Sequence, residues 1–258
     1  MTYSCIRASF LAFLVGLVFA LPAFAQDVVV EGTAVAVISP AEVERAGSKL
    51  TLRQGDTVLQ GDIVRTGAKG QVQLEFPDDT RIAVGPSSSL RIDSVLFKRS
   101  EGKARKFAVS ALGGSFRFLS GNSSSRAYSI RTPTATMGIR GTVFDFAVQR
   151  AEFTDLVVLE GRVQFCGANR VCAVIPGGCN AVTVGRANEF SQPTTAESKA
   201  SMLFQRFPFL QAQASLQPRF RHETGGCEDV TMVDLPTVRA PREKDDDRRR
   251  DRSGNPAE

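Results

Sequence analysis

The strongest constraint on this chain is a period of two. In Gln71–Phe76, the residues Val72, Leu74 and Phe76 alternate with Gln71, Gln73 and Glu75. Successive side chains of an extended strand point to opposite faces, so this spacing suits a half-buried β-strand rather than a helix. Pro77-Asp78-Asp79-Thr80 follows with the backbone preferences of a turn, and Arg81–Val84 returns. The same pattern predicts strands at Val28–Val30, Thr33–Ile38, Leu90–Phe97, Lys106–Ser110, Ser115–Leu119, Tyr128–Arg131, Thr142–Val148, Leu156–Leu159 and Arg162–Cys166. Phe116 and Phe118 share a face, as do Phe144, Phe146 and Val148. The 258 residues include 18 Phe but no Trp, so a core has to be built from Phe and aliphatic side chains. Short strands with close turn signals predict an all-β domain over residues 26–185. A looser unit of glycine, strand, turn and strand starts at Gly70, Gly114, Gly141 and Gly161, roughly every twenty residues. It suits a solenoid-like or a sandwich-like stack of short strands, and the spacing leaves both open.

The two ends of the sequence read differently. Arg7, the apolar run Ala8–Pro22 and Ala23-Phe24-Ala25 follow the order of a cleaved signal peptide over residues 1–25, with Gln26 as the mature start. The apolar run is shorter than the roughly 20 residues of a membrane-spanning helix, so no stable span is expected after cleavage. A periplasmic or secreted location follows. After Gly185 the period becomes helical. Thr194-x-x-Glu197 is a capping-box pattern, and Ala200, Leu203, Phe204 and Phe207 recur at helical spacing until Pro208 stops them. This helix is expected to pack on the β domain. Lys199 and Arg206 are too few cations for a membrane-surface helix. Residues 186–237 are thus a short helical and irregular C-terminal extension, and the charge-rich residues 238–258 a disordered tail.

Four cysteines follow the signal: Cys166, Cys172, Cys179 and Cys227. An even number in an exported chain reads as disulfides. Cys166 and Cys172 flank Gly167-Ala168-Asn169-Arg170-Val171, whose turn residues would set them opposite each other, which leaves Cys179 for Cys227. The spacings lack the close C-x2-C pairs of zinc sites, so no metal is expected. His222 is the only histidine. There is no G-x-S-x-G, no H-E-x-x-H and no phosphate-binding loop, so no catalytic residue and no cofactor is assigned. Asp78 and Asp79 read as solvated turn carboxylates, and Asp56 and Asp62 as turn residues beside Gly55 and Gly61. Arg7 is the only charged residue of 1–25, so the net charge of +5 becomes +4 without them. That is too little to imply nucleic acid as a partner.

The densest cluster of turning and charged residues is Tyr128–Phe146. Pro133, Gly138 and Gly141 would shape an irregular bend, while Arg131 and Arg140 supply forked donors. The arginines either bond backbone carbonyls of a structural corner or contact an anion or partner. Arg131, Thr132, Arg140 and Thr142 are the candidate binding residues.

These blocks resemble the FecR-type domain family. The matching stretches are Gly61-Asp-Ile-Val-Arg-Thr-Gly, Val72-Gln-Leu-Glu-Phe-Pro-Asp-Asp-Thr-Arg-Ile, Gly113-Gly-Ser-Phe-Arg-Phe, Arg131-Thr-Pro-Thr-Ala-Thr-Met-Gly-Ile-Arg-Gly-Thr-Val-Phe and Val157-Val-Leu-Glu-Gly-Arg-Val. They cover about residues 50–165, and the block from Arg131 is the most specific. The family usually has Asp-Gly at the hairpin where this chain has Asp78-Asp79. The resemblance implies an exported, all-β, solenoid-like domain. In regulators of this type such a domain senses an outer-membrane receptor and signals to a cytoplasmic sigma factor. That route needs a transmembrane helix and an N-terminal cytoplasmic domain, and neither is read in this sequence. The expectation is therefore a non-enzymatic exported domain that binds an envelope protein or surface polymer, with a sensing or regulatory role. The alternative is a structural or adhesive cell-surface scaffold.

Overall fold

The computed structural model describes residues 27–29, 32–98, 102–224 and 227–236. The expected signal peptide, its cleavage site and the tail from residue 238 lie outside the described residues.

Strands dominate, at 52% against 12% helix. In chain order they are β1 (Asp27–Val29), β2 (Gly32–Ile38), β3 (Ala41–Arg45), β4 (Ser48–Thr51), β5 (Thr57–Val58), β6 (Ile63–Thr66), β7 (Gln71–Glu75), β8 (Arg81–Val84) and β9 (Ser89–Lys98). There follow β10 (Ala104–Leu119), β11 (Tyr128–Arg131), β12 (Ala135–Gln149), β13 (Phe153–Gly167), β14 (Cys172–Pro176), β15 (Asn180–Gly185) and β16 (Phe190–Ser191). All sixteen join one sheet, and its neighbours are antiparallel except for the parallel pair β10–β11.

Three long strands give the sheet its shape. Most strands are short, as expected, but β10, β12 and β13 run 16, 15 and 15 residues. Each changes partners midway. Residues 104–113 of β10 pair with β9, whereas residues 114–119 lie between β8 and β12. Residues 135–140 of β12 pair with the end of β13, and residues 143–149 with its start. The start of β13 also pairs with β15, and its end with β14. Gly114, Gly141 and Gly161 stand at the switch points, all with positive φ. That backbone conformation is easy for glycine and strained for other residues. The recurring glycines of the sequence therefore mark bends inside continuous strands as well as turns between strands.

The bends fold the sheet into two layers. The first runs β5, β2, β7, β8, then the second halves of β10 and β12, the start of β13, β15 and β16. The second runs β4, β3, β6, β9, then the first halves of β10 and β12 with β11 between them, the end of β13, and β14. Phe rings meet between the layers, as expected of a core without Trp. Phe107 packs edge-on to Phe76 at 4.8 Å and to Phe118 at 6.1 Å between centroids. Such offset and T-shaped contacts suit the quadrupole of the rings.

The extension covers the outer face of the first layer. Helix α1 (Ala196–Arg206) and the single turn α2 (Pro208–Gln211) lead into two 3-10 turns. Leu203 and Phe207 pack on Ala147, Val157, Leu159 and Ala181, while Phe209, Leu216 and Phe220 pack on Ala83 and Leu119. Pro208 separates the two helices, as expected. The N-cap is Thr195, one residue later than the pattern suggested, with Ser198 completing the capping box. The buried stripe is shifted too: Lys199, Leu203 and Phe207 are buried, and Phe204 is 70% exposed. The polar face of β7 is consequently not solvated. Gln71 donates to the Ser215 carbonyl at 3.2 Å, and Gln73 accepts from the Gln217 amide at 2.8 Å.

Candidate functional site

Beneath the extension lies a buried ion pair. Arg117 in β10 and Asp145 in β12 face each other across the strand pair and are 0% and 1% exposed. Arg117 Nε and a terminal guanidinium nitrogen donate to the two Asp145 oxygens at 2.6 and 2.9 Å. Its other terminal nitrogen donates to Gln213 Oε1 at 2.9 Å, and Phe209 lies 5.9 Å away. Burial pushes the Asp145 carboxyl above the usual carboxylate range, and Arg117 and then His222 oppose that push. The pair joins the sheet to the extension and has no route to solvent, so its role is structural. Sequence reasoning missed it. The only signal was a charged residue set between two Phe residues in each strand, in Phe116-Arg117-Phe118 and Phe144-Asp145-Phe146.

Asp78 is likewise buried rather than solvated. It accepts hydrogen bonds from Ser123 Oγ at 2.6 Å, the Tyr128 hydroxyl at 2.9 Å and the Thr80 amide at 3.1 Å. Burial is the first cause that raises the Tyr128 phenol above its ordinary pKa. Asp62 is also buried, held by Arg45 through bonds of 2.8 and 2.6 Å. Asp79 and Asp56 are the exposed members. Among the described residues, no cluster of three His, Cys, Asp or Glu could hold a metal.

The cysteines come together in the expected pairs. Cys166 and Cys172 lie opposite each other in β13 and β14 with Cα atoms 4.0 Å apart, at disulfide distance. Cys179 and Cys227 do the same at 4.8 Å and tie the extension to the sheet.

The four candidate binding residues part into two groups. Thr132 and Thr142 are built into the fold. Thr132 Oγ1 accepts from the Ala135 amide at 2.9 Å and lies 2.7 Å from Thr154 Oγ1. Thr142 is buried, and its amide donates to Ser120 Oγ at 2.9 Å. Arg131 and Arg140 instead project from the open outer face of the second layer. Gly141 bends β12, whereas Gly138 sits in regular register opposite Gln164 and bends nothing.

Among the described residues, nothing covers this outer face. Along adjacent strands it presents Arg131, Thr136 and Cys166 in one row, Gly138, Gln164 and Val174 in the next, and Arg140 and Arg162 in a third. A shallow depression of about 440 Å³ lies there. Arg126, Arg140 and Arg162 line it together with Gln164, Tyr128 and Val174, and no acidic residue does. Sequence reasoning found Arg140 but missed Arg126 and Arg162, because only the strand register brings the three together.

Residues 62–164 match the FecR protein family. That span runs from the buried Asp62 to Gln164 and contains β6 to β12 with most of β13, including the bends and every lining residue of the depression except Val174. No curated protein matches the chain. Two crystal structures of a candidate anti-sigma factor from Parabacteroides distasonis ATCC 8503 are similar, at 17% and 16% identity with TM-scores of 0.42 and 0.41. Each match covers 55% of this chain and 64% of that one, so the chain spans less than two thirds of those relatives' length. Among the described residues, no helix is long and apolar enough to cross a membrane.

Proposed function

We propose that this chain is an exported, non-enzymatic FecR-type domain with a sensing or regulatory role, and that it binds an envelope protein or surface polymer through the open face of its second layer. The observation that carries this reading is the contrast between the two outer faces. Among the described residues, the chain covers one with its own apolar extension and leaves the other bare, where arginines line a depression without an acidic residue. A sheet face that is not needed for the core and carries unneutralised cations suits recognition of an acidic surface. Export is supported by the signal-like N-terminus and by two cysteine pairs at disulfide distance, which persist in oxidising compartments. The FecR match supports the regulatory role.

The test is a photo-crosslinking residue placed at Thr136, on the open face, in the exported protein within its own cell envelope. One discrete, stoichiometric adduct is expected. The same residue at Gln205, exposed on α1 over the opposite side, should give none. Equal adducts at both positions, or none at Thr136, would overturn the reading.

A further inference from the structure

Arg140 and Arg162 are a direct cross-strand pair between β12 and β13. Directly opposite side chains in an antiparallel pair have Cβ atoms roughly 4.5–5.5 Å apart, and like charges at that spacing destabilise the sheet. Arg126 brings a third guanidinium to the same depression from the 3-10 turn Ser125–Ala127. Three other arginines of this layer are paired with acids. Arg65 bonds Glu44 at 3.0 Å, Arg91 bonds Asp93 at 2.8 Å, and Arg45 bonds Asp62 at 2.6 Å. Around the depression, three arginines are gathered with no carboxylate among the lining residues. The floor is open because Gly138 has no side chain, and the facing Gln164 brings its side-chain amide to the lining.

We infer that Arg126, Arg140 and Arg162 form a subsite for a phosphate group. This rests on the preceding reading only in using the same open face. Guanidinium forks match the oxygens of phosphate two at a time. A phosphate monoester carries about −1.5 to −2 charges and three acceptor oxygens, against one charge for a carboxylate. It is therefore the group that best neutralises three converging arginines. Binding relieves the Arg140–Arg162 repulsion, so the ligand stabilises the protein as well as occupying it.

The purified exported chain, with its cysteine pairs oxidised, is titrated calorimetrically at constant ionic strength. The probes are glycerol phosphate, vesicles of phosphatidylcholine with phosphatidic acid, and glutamate. Saturable binding of glycerol phosphate at least tenfold tighter than glutamate is expected. Binding of glycerol phosphate without the vesicles assigns a soluble or polymer-borne phosphate, and binding of both admits a lipid headgroup. Arg140→Ala and Arg162→Ala should each weaken binding about tenfold, which is about 1.4 kcal/mol. Their melting temperatures should be unchanged or slightly raised, whereas a structural arginine would lower them. Arg91→Ala, which removes an arginine with its own acid, should bind as the parent does. Absence of saturable phosphate binding, glutamate binding as tight, or indifference to both arginine variants would each overturn the subsite. A crosslink at Thr136 that survives such a failure would leave the wider reading in place.

Discussion

Asp145→Ala should be the most damaging single substitution outside the aromatic core. It removes the carboxylate from a guanidinium that is 0% exposed and donates two of its hydrogen bonds to that carboxylate. Gln213 Oε1 and the Phe220 carbonyl remain as neutral acceptors, and neither offsets the charge. Removing one partner of a buried pair costs about 3–5 kcal/mol, because the other charge stays buried. At roughly 2–4 °C per kcal/mol for a domain of this size, the melting temperature should fall by about 6–20 °C. Thermal and urea unfolding followed by circular dichroism, with the cysteine pairs oxidised, reads this out. The same reasoning requires that Arg117→Met with Asp145→Leu recover most of the loss, since the double variant buries no lone charge. A single variant within about 1 kcal/mol of the parent, or a double variant as unstable as the single one, would refute the argument.

Other outcomes follow from the same geometry. Tyr128 is the only tyrosine after residue 25, so absorbance at 295 nm reports its phenol directly, and it should ionise above its ordinary pKa of 10.0. Its folded pKa is raised, so the folded state keeps the proton longer. Stability should therefore fall as pH climbs from 10 through the raised value, and ionisation at or below 10 in the native protein would contradict this. Gly161→Ala should destabilise strongly, because φ is +77° and an added Cβ would overlap the Gly141 carbonyl, whereas Gly113→Ala meets nothing within 4 Å and should be mild. Equal melting temperatures for the two glycine variants would show that the bend is not needed. Replacing Cys179 and Cys227 together by Ser should raise the rate of proteolysis within residues 196–236 while leaving the second layer's strands protected from hydrogen exchange.

Much of this fold was legible as alternation. The faces of Gln71–Phe76, Phe116/Phe118 and Phe144/Phe146 are those the sequence pattern predicts, because a two-residue period reports directly on which side is apolar. Strands such as β3, β4 and β6 escaped. Ser48–Thr51 is exposed throughout and carries little apolar pattern to read. The continuity of β10, β12 and β13 was hidden because a glycine at positive φ looks like a turn whether or not the strand resumes. The burial of Gln73 and Arg117 was hidden for a different reason. Their cover comes from Gln217 and Gln213, roughly a hundred residues or more downstream, and no local pattern encodes that contact. The cysteine pairing was legible because turn residues between Cys166 and Cys172 fixed one pair and elimination gave the other. Of the candidate binding residues, Arg140 was found through its crowded segment. Arg162 lies outside that segment and joins it only through register.

The open arginine face is proposed to engage an anionic partner in the envelope. Charge reversal at the cross-strand pair tests it most directly, by crosslinking at Thr136 in cells that carry Arg140→Glu with Arg162→Glu. At least a tenfold loss of the discrete adduct is expected, with the melting temperature of the purified variant preserved. An adduct of undiminished yield in that folded variant would contradict it.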